Sequence, residues 1–268
     1  MGVIIQPGYT KPIADQPLTH ARIAHSGNWY SGGTAFATST DAAFFTDGPL
    51  NSLTFEKWKP SADPSYWEYD HGSSVTADYM CVGAHTLGTA GSVFKLEYYD
   101  GAAWVDVSSS ISPTDDMDIF CIFEPVAARW WRIRITATVD FPTVGVFRVG
   151  QALQMPRPLY GGHSPLDLGR DIVTRSNMSS RGEFLGFTKQ RAIMSTNIAW
   201  QNLTAQWVRD NWRDLQTAIQ TEPFFIAWRP ETFSEVGFCY TNKTPKPQNM
   251  GVRDLMDVSI DLTARAYD

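Results

Sequence analysis

The sequence predicts a mainly β protein that becomes α+β in its C-terminal part: an antiparallel β-sandwich of jelly-roll type, then a β-rich domain with one packed helix. Three observations carry this. Short apolar runs recur along the chain, separated by Gly, Pro, Asp and Ser, as strands and turns require. Helical spacing stands out in one segment near the C-terminus. The charge also divides: residues 1–150 hold 9 Lys+Arg against 16 Asp+Glu, whereas residues 151–268 hold 13 against 12. The first part therefore carries a net −7 and the second +1, which places a boundary near 150.

Residues 1–20 are polar and punctuated by Pro7, Pro12 and Pro17, so they read as an extended arm with room for one edge strand, either disordered or laid against a neighbouring subunit. Residues 21–150 read as the sandwich. Its strands are expected at Tyr66–Tyr69, Tyr79–Ala84, Val93–Tyr99, Trp104–Ser108, Ile119–Phe123, Trp130–Thr138 and Val144–Val149. Trp131, Ile133 and Ile135 alternate with Arg132 and Arg134, which is the period of a half-buried strand. Asp100-Gly101 marks a hairpin between two of these strands.

Residues 151–165, with Pro156, Pro158, Gly161, Gly162 and Pro165, read as a linker. In residues 166–268, strands are expected at Ile172–Asn177, Phe184–Lys189 and Arg191–Trp200. A helix follows over 203–220, then strands at Phe224–Trp228, Val236–Tyr240 and Met256–Ala264. Thr204 is a suitable N-cap for the helix. Val208, Trp212, Leu215 and Ile219 form its apolar face, and Pro223 marks its end.

Few residues point to catalysis. Cys81, Cys121 and Cys239 are far apart and lack CxxC spacing, so they read as buried thiols and not as a zinc site. No H-E-x-x-H, G-x-S-x-G or strand–glycine-loop–helix phosphate motif occurs, so no catalytic residue, metal or cofactor is expected. Asp115, Asp116 and Asp118 could supply oxygen ligands to Ca²⁺ but lack the framework of an EF-hand loop; a solvated loop is the plainer reading. Asp70 and Glu97 are a conceivable carboxylate pair, yet no spacing in the sequence sets the separation that glycoside hydrolysis needs. His85 reads as a hydrogen-bonded, partly buried side chain. Neither part has the basic stripe of a nucleic-acid binder, and no apolar run is long enough to span a membrane. The first residues lack the basic and apolar regions of a cleaved secretory signal.

Aromatic residues are abundant. Trp67, Trp104 and Trp131 suit the sandwich core, whereas Trp29, Tyr30 and Trp58 suit either a sugar-stacking platform or a subunit contact. In the C-terminal part Trp212, Phe224, Phe225 and Trp228 are the candidate hydrophobic anchors.

Two resemblances refine this reading. Phe45-Thr46-Asp47-Gly48, Tyr66-Trp67-Glu68-Tyr69, Asp100-Gly101-Ala102-Ala103-Trp104 and Ala128-Arg129-Trp130-Trp131-Arg132-Ile133 occur in an order similar to the discoidin-like, or galactose-binding-like, β-sandwich family. Leu168-Gly169-Arg170, Ser180-Arg181-Gly182-Glu183-Phe184, Pro223-Phe224-Phe225-Ile226-Ala227-Trp228 and Val252-Arg253-Asp254-Leu255-Met256 follow an order that resembles the ring-forming domain of distal tail proteins from long-tailed bacteriophages. The second resemblance implies a virion protein made in the host cytoplasm, with no enzymatic activity. It would assemble as a homo-oligomer, a hexameric ring, between a tail tube protein and a baseplate hub protein. The first implies the alternative, a carbohydrate-binding module recognising cell-surface glycans. Many distal tail proteins place the ring domain first, whereas here the sandwich precedes it.

Overall fold

The computed structural model describes residues 2–7, 9, 18–136, 139–251 and 253–266. Two largely antiparallel assemblies are stacked face to face, and one helix covers the far side.

The sandwich is built on two long strands, β4 (Ser65–Gly83) and β7 (Ile119–Thr136). Each corresponds to two expected strands fused into one. They pair over most of their length but break register between Asp70 and Val75 and between Ala77 and Tyr79, opposite Pro125. Pro125 cannot donate to the ladder and a register shift bends the strand, so each strand turns the corner from one layer to the next. In the first layer, Ser65–Asp70 and Trp130–Ile135 are flanked by β3 (Thr34–Ala37), β5 (Val93–Tyr99) and β6 (Trp104–Asp106). In the second, Tyr79–Val82 and Ile119–Ile122 are flanked by β8 (Val146–Gly150) and by β1 (Val3–Ile5), which runs parallel to β7. Trp58, Trp67, Phe94, Leu96, Phe123, Trp131, Ile133 and Phe147 fill the space between the layers. The Asp100-Gly101 turn forms as expected: the Asp100 carboxylate accepts from Ala102 N and Ala103 N, and Gly101 adopts φ +103°.

The second sheet draws on both ends of the chain. Its order is β10 (Arg170–Met178), β11 (Phe184–Thr204), β15 (Leu255–Arg265), β13 (Val236–Tyr240), β12 (Phe224–Ala227), β2 (Arg22–Ala24), β9 (Leu153–Gln154); β14 (Gln248–Asn249) pairs with β15. Two sequence-based boundaries change as a result. Residues 22–24, expected in the sandwich, belong to this sheet. The expected linker 151–165 contributes β9 to it. The expected N-terminal arm contains β1, a strand of the sandwich; residues 10–17 of that arm lie outside the described residues.

Helix α1 spans 205–221, with a π segment at Val208–Trp212 between α-helical Ala205–Trp207 and Arg213–Thr221. Thr204 Oγ1 accepts from Trp207 N, 3.3 Å away. Replacing Thr204 by Ala is expected to cost about 1 kcal/mol in a urea unfolding experiment, because one orphan amide of the first turn loses its partner. Val208, Trp212, Leu215 and Ile219 bury against Ile198, Trp200, Phe224, Ile226, Val258 and Ile260 on one face of the sheet.

The other face of β12 and β13 packs on the sandwich. Phe225, Ala227, Val236 and Phe238 meet Tyr79, Cys81, Phe120, Ile122 and Val146 in a third core. Asp118, buried in the sandwich, accepts from Ala84 N in its own layer and from Phe238 N in the second sheet. The two halves therefore share an apolar layer and are not joined only by a tether.

Candidate functional site

The feature least explained by folding is the hairpin of β10 and the first part of β11. From Arg170 to Ala192 most residues on both strand faces are exposed, and the hairpin rejoins the body at Ile193, where β11 begins to pair with β15. Its turn is well specified. Ser179 Oγ accepts from Arg181 N and Glu183 N, and Gly182 takes φ +83°. Ile172, Met178, Phe184, Leu185 and Phe187 are all at least half exposed, Phe187 at 68%. The Phe184 and Phe187 rings touch edge-on at 4.9 Å.

A two-stranded ribbon with no core behind it is marginal in water, and full burial of each large apolar side chain is worth about 1.5–3 kcal/mol. The hairpin also carries Arg170, Arg175, Arg181, Lys189 and Arg191 against Asp171 and Glu183. Its strands were legible in the sequence, but its exposure was not. The available signal was consecutive apolar residues, Phe184-Leu185, which leave no dry side for a two-faced ribbon.

A second feature lies where β8 meets the helix end. Arg148 is 5% exposed, and its guanidinium lies 4.7 Å from the centre of the Trp29 ring. Nη1 donates to Pro49 O and Phe147 O, and Nη2 donates to Ser52 Oγ. Ser52 in turn donates to Glu222 at 2.6 Å, and Nε has no partner. Burial lowers the guanidinium pKa to about 10, and Glu222 opposes this. A small, partly open cavity of about 40 Å³, lined by Trp29, Tyr30, Tyr69 and Arg148, adjoins an open groove of about 240 Å³ that adds Ser26, Asn51, Ser52 and Glu222. The signal for Arg148 was a lone arginine in the apolar strand Val146–Gly150; sequence reasoning passed over it.

Of the three candidate contact aromatics, the structure brings Trp29 and Tyr30 together at this cavity. Trp29 offers no free flat face, because it is buried beneath Arg148; Tyr30 is half-buried, with its hydroxyl donating to Thr76 O. Trp58 is a correction. It is fully buried in the sandwich core, with its indole N–H on Ser39 O, and cannot be a platform or a contact.

The C-terminal anchors divide. Trp212 and Phe224 lie in the core beneath α1. Phe225, one residue on in a strand, points the opposite way and anchors the sandwich instead. Trp228 falls outside its expected strand: it is half-buried, stacked on Phe233 at 4.9 Å, with its indole N–H donating to Glu235.

The remaining polar candidates serve the fold. Asp115 accepts from Met117 N and Asp116 from Thr89, while Asp118 bridges the two sheets, so the three carboxylates diverge. No group of three metal-binding side chains occurs among the described residues. Asp70 takes a bidentate ion pair from Arg129, which holds its carboxyl below the usual range. Glu97 is 3% exposed and paired with Arg132, itself stacked between Tyr66 and Trp104 at 4.3 and 4.0 Å. His85 is fully buried, with Nε2 on Met117 O and Nδ1 accepting from Leu87 N. The three cysteines are buried and unpaired, and burial raises the Cys121 thiol to about 12. Among the described residues no helix is long and apolar enough to cross a membrane.

No family model matches the chain, and no curated protein matches it. Solved structures that resemble part of it include carbohydrate-binding modules and GH29 enzymes, among them a Ruminococcus gnavus GH29 fucosidase. Chitosan-binding module 1 from a chitosanase/glucanase of Paenibacillus sp. IK-5 is 20% identical, covering 46% of this chain and 97% of the module at a TM-score of 0.40. A pectin-binding carbohydrate-binding module is 14% identical, over 43% and 88%, at 0.38. The CBM32 of AlyQ, solved with 4,5-unsaturated mannuronic acid, is 16% identical, over 45% and 96%, at 0.39. At these scores the likeness carries no functional argument, and the comparisons add no support for the resemblance to distal tail proteins.

Proposed function

We propose that this chain is a non-catalytic structural protein that assembles with copies of itself through the β10–β11 hairpin. The observation that carries this reading is the row of exposed Ile172, Met178, Phe184, Leu185 and Phe187 on a ribbon with no core of its own. One patch meeting a different patch on the next copy closes into a ring when the rotation allows. Within that reading, the order of elements in the C-terminal part favours a tail-tip adaptor of a long-tailed phage. It would form a hexameric ring in the virion, with a tail tube protein and a baseplate hub protein as neighbours. The absence of catalysis is part of the proposal: the Asp70 and Glu97 carboxylates are neutralised by arginines, and Arg129 moves Asp70 away from the raised pKa a general acid needs.

Native mass spectrometry over a concentration series is the test. The wild type is expected to populate oligomers, and Phe184→Ser with Phe187→Ser is expected to give monomer with unchanged circular dichroism. A strictly monomeric wild type at high concentration would overturn the reading.

A second reading, glycan recognition, has its own support in the groove beside Arg148. Its open volume suits one sugar ring, and Ser26, Ser31, Asn51, Ser52 and Glu222 offer groups of both hydrogen-bonding senses. Glu222→Ala is expected to weaken any glycan found on an array by about tenfold, the worth of one charge-assisted hydrogen bond. Binding that ignores this change would remove the groove from consideration.

A further inference from the structure

The loop spanning 41–56 of the sandwich is the second exposed apolar surface of the molecule. Phe45, Leu53 and Phe55 are exposed there, Phe55 at 75%. Between positions 41 and 56 the chain carries Asp41, Asp47 and Glu56 and no cation. The loop is nevertheless held in one shape. Asp41 N and Phe45 N donate to Lys59 O and Lys57 O. Asn51 accepts from Leu53 N and donates to Glu56. Arg148 reaches up from β8 to Pro49 O. Rigid backbone with exposed phenylalanines is the form of a preorganised contact surface, because little ordering entropy remains to be lost on binding.

The hairpin is the opposite in charge and alike in its apolar content. Five cations against two carboxylates accompany its exposed side chains, whereas the loop carries three carboxylates, with Lys57 and Lys59 following it and Lys59 Nζ 5.9 Å from the Phe44 ring, so the loop side stays net acidic. Neither surface covers the other within one chain, since both are exposed. We infer that the β10–β11 hairpin of one copy docks on the 41–56 loop of the next, its apolar side chains against Phe45, Leu53 and Phe55 and its arginines facing Asp41, Asp47 and Glu56. This rests on the self-assembly proposed above and names the receptor for it. Such a contact joins two different patches, so each copy keeps a free hairpin and a free loop until the assembly closes on itself. It also makes the sandwich part of the assembly interface.

The experiment is a charge exchange read by sedimentation equilibrium. Asp47 makes no capping hydrogen bond to the short 3-10 turn that follows it, and Arg181 lies at the hairpin tip, so both can be changed without disturbing the fold. Asp47→Lys and Arg181→Glu, each alone, are expected to weaken self-association about tenfold, and the double variant to recover most of it, as like charges are replaced by an opposed pair. Phe55→Ser is expected to weaken association at least as much. If the loop variants associate like the wild type while Phe184→Ser with Phe187→Ser does not, the hairpin docks elsewhere and this inference falls, though self-assembly stands. If neither set has any effect, self-assembly through the hairpin falls with it.

Discussion

Unfolding free energy is expected to fall steeply as pH drops from 6.5 to 4, chiefly through His25 and His85. Burial holds both imidazoles neutral and lowers each to about 4, opposed by Asp214 for His25 and by the Met117 carbonyl for His85. In the unfolded chain both would titrate near 6.5, so below that pH the unfolded state binds protons that the folded state refuses. The stabilisation is therefore fully present above 6.5 and is lost as pH falls through 4. Each shift corresponds to about 3 kcal/mol, a large part of the 5–15 kcal/mol of a typical domain.

Asp78 works in the other direction. Burial raises its carboxyl to about 6, against the pull of Ala152 N–H and Arg22, so protonating it below 6 favours the folded state and returns about 3 kcal/mol. These three groups together give a net loss of about 3 kcal/mol between pH 6.5 and 4, and His20, whose imidazole pKa burial also lowers, acts in the same direction; the loss is measurable as a shift of the urea midpoint. His85→Gln should flatten the pH slope, whatever it does to stability at pH 7, and Asp78→Asn should steepen it. A urea midpoint that does not move over this range would refute the account.

Phe225→Ala is expected to cost about 3–5 kcal/mol and to uncouple the two halves of the molecule. The ring is fully buried, packs on Phe238 at 4.7 Å and lies over Gly83, where an added Cβ would come within 2.9 Å of it. Because the sandwich and the second sheet share this apolar layer, the wild type should unfold in a single urea transition. Its loss should leave each half resting on its own core, one around Trp131 and one around Trp212, and split the transition in two. Gly83→Ala approaches the same contact from the other side by overfilling it, for about 1–3 kcal/mol. Leu168→Ser, at a position 80% exposed, is the control and should change stability by less than about 0.5 kcal/mol. A single, unshifted transition for Phe225→Ala would mean that the halves are held together by something other than this layer.

Much of the fold was legible along the chain because its signals are local. The alternation at Trp131–Ile135, the Asp100-Gly101 turn and the 204–223 punctuation of the helix each depend on neighbours within a few residues, and each appears where expected. Long-range pairings were not legible. That Arg22–Ala24 and Leu153–Gln154 join the C-terminal sheet depends on partners more than 100 residues away, so composition suggested a linker where a strand exists. The candidate site was read less well than the fold. Trp58 and Trp29 are aromatic residues in loops, and their sequence context is the same whether a ring faces water or a core; the packing of Val144 and Arg148 against them decided it.

The order of residues by itself determined most of the longer strands, where the helix over 205–221 lies, and that acidic charge would gather in the first 150 positions. Only the tertiary structure decided that two halves would share an apolar layer, that Phe224 and Phe225 would serve different cores, and that a hairpin would stand clear of both. The physical reason is that periodicity reports which side chains share a face, whereas burial depends on what other part of the chain arrives to cover that face. For the hairpin, nothing within the described residues does.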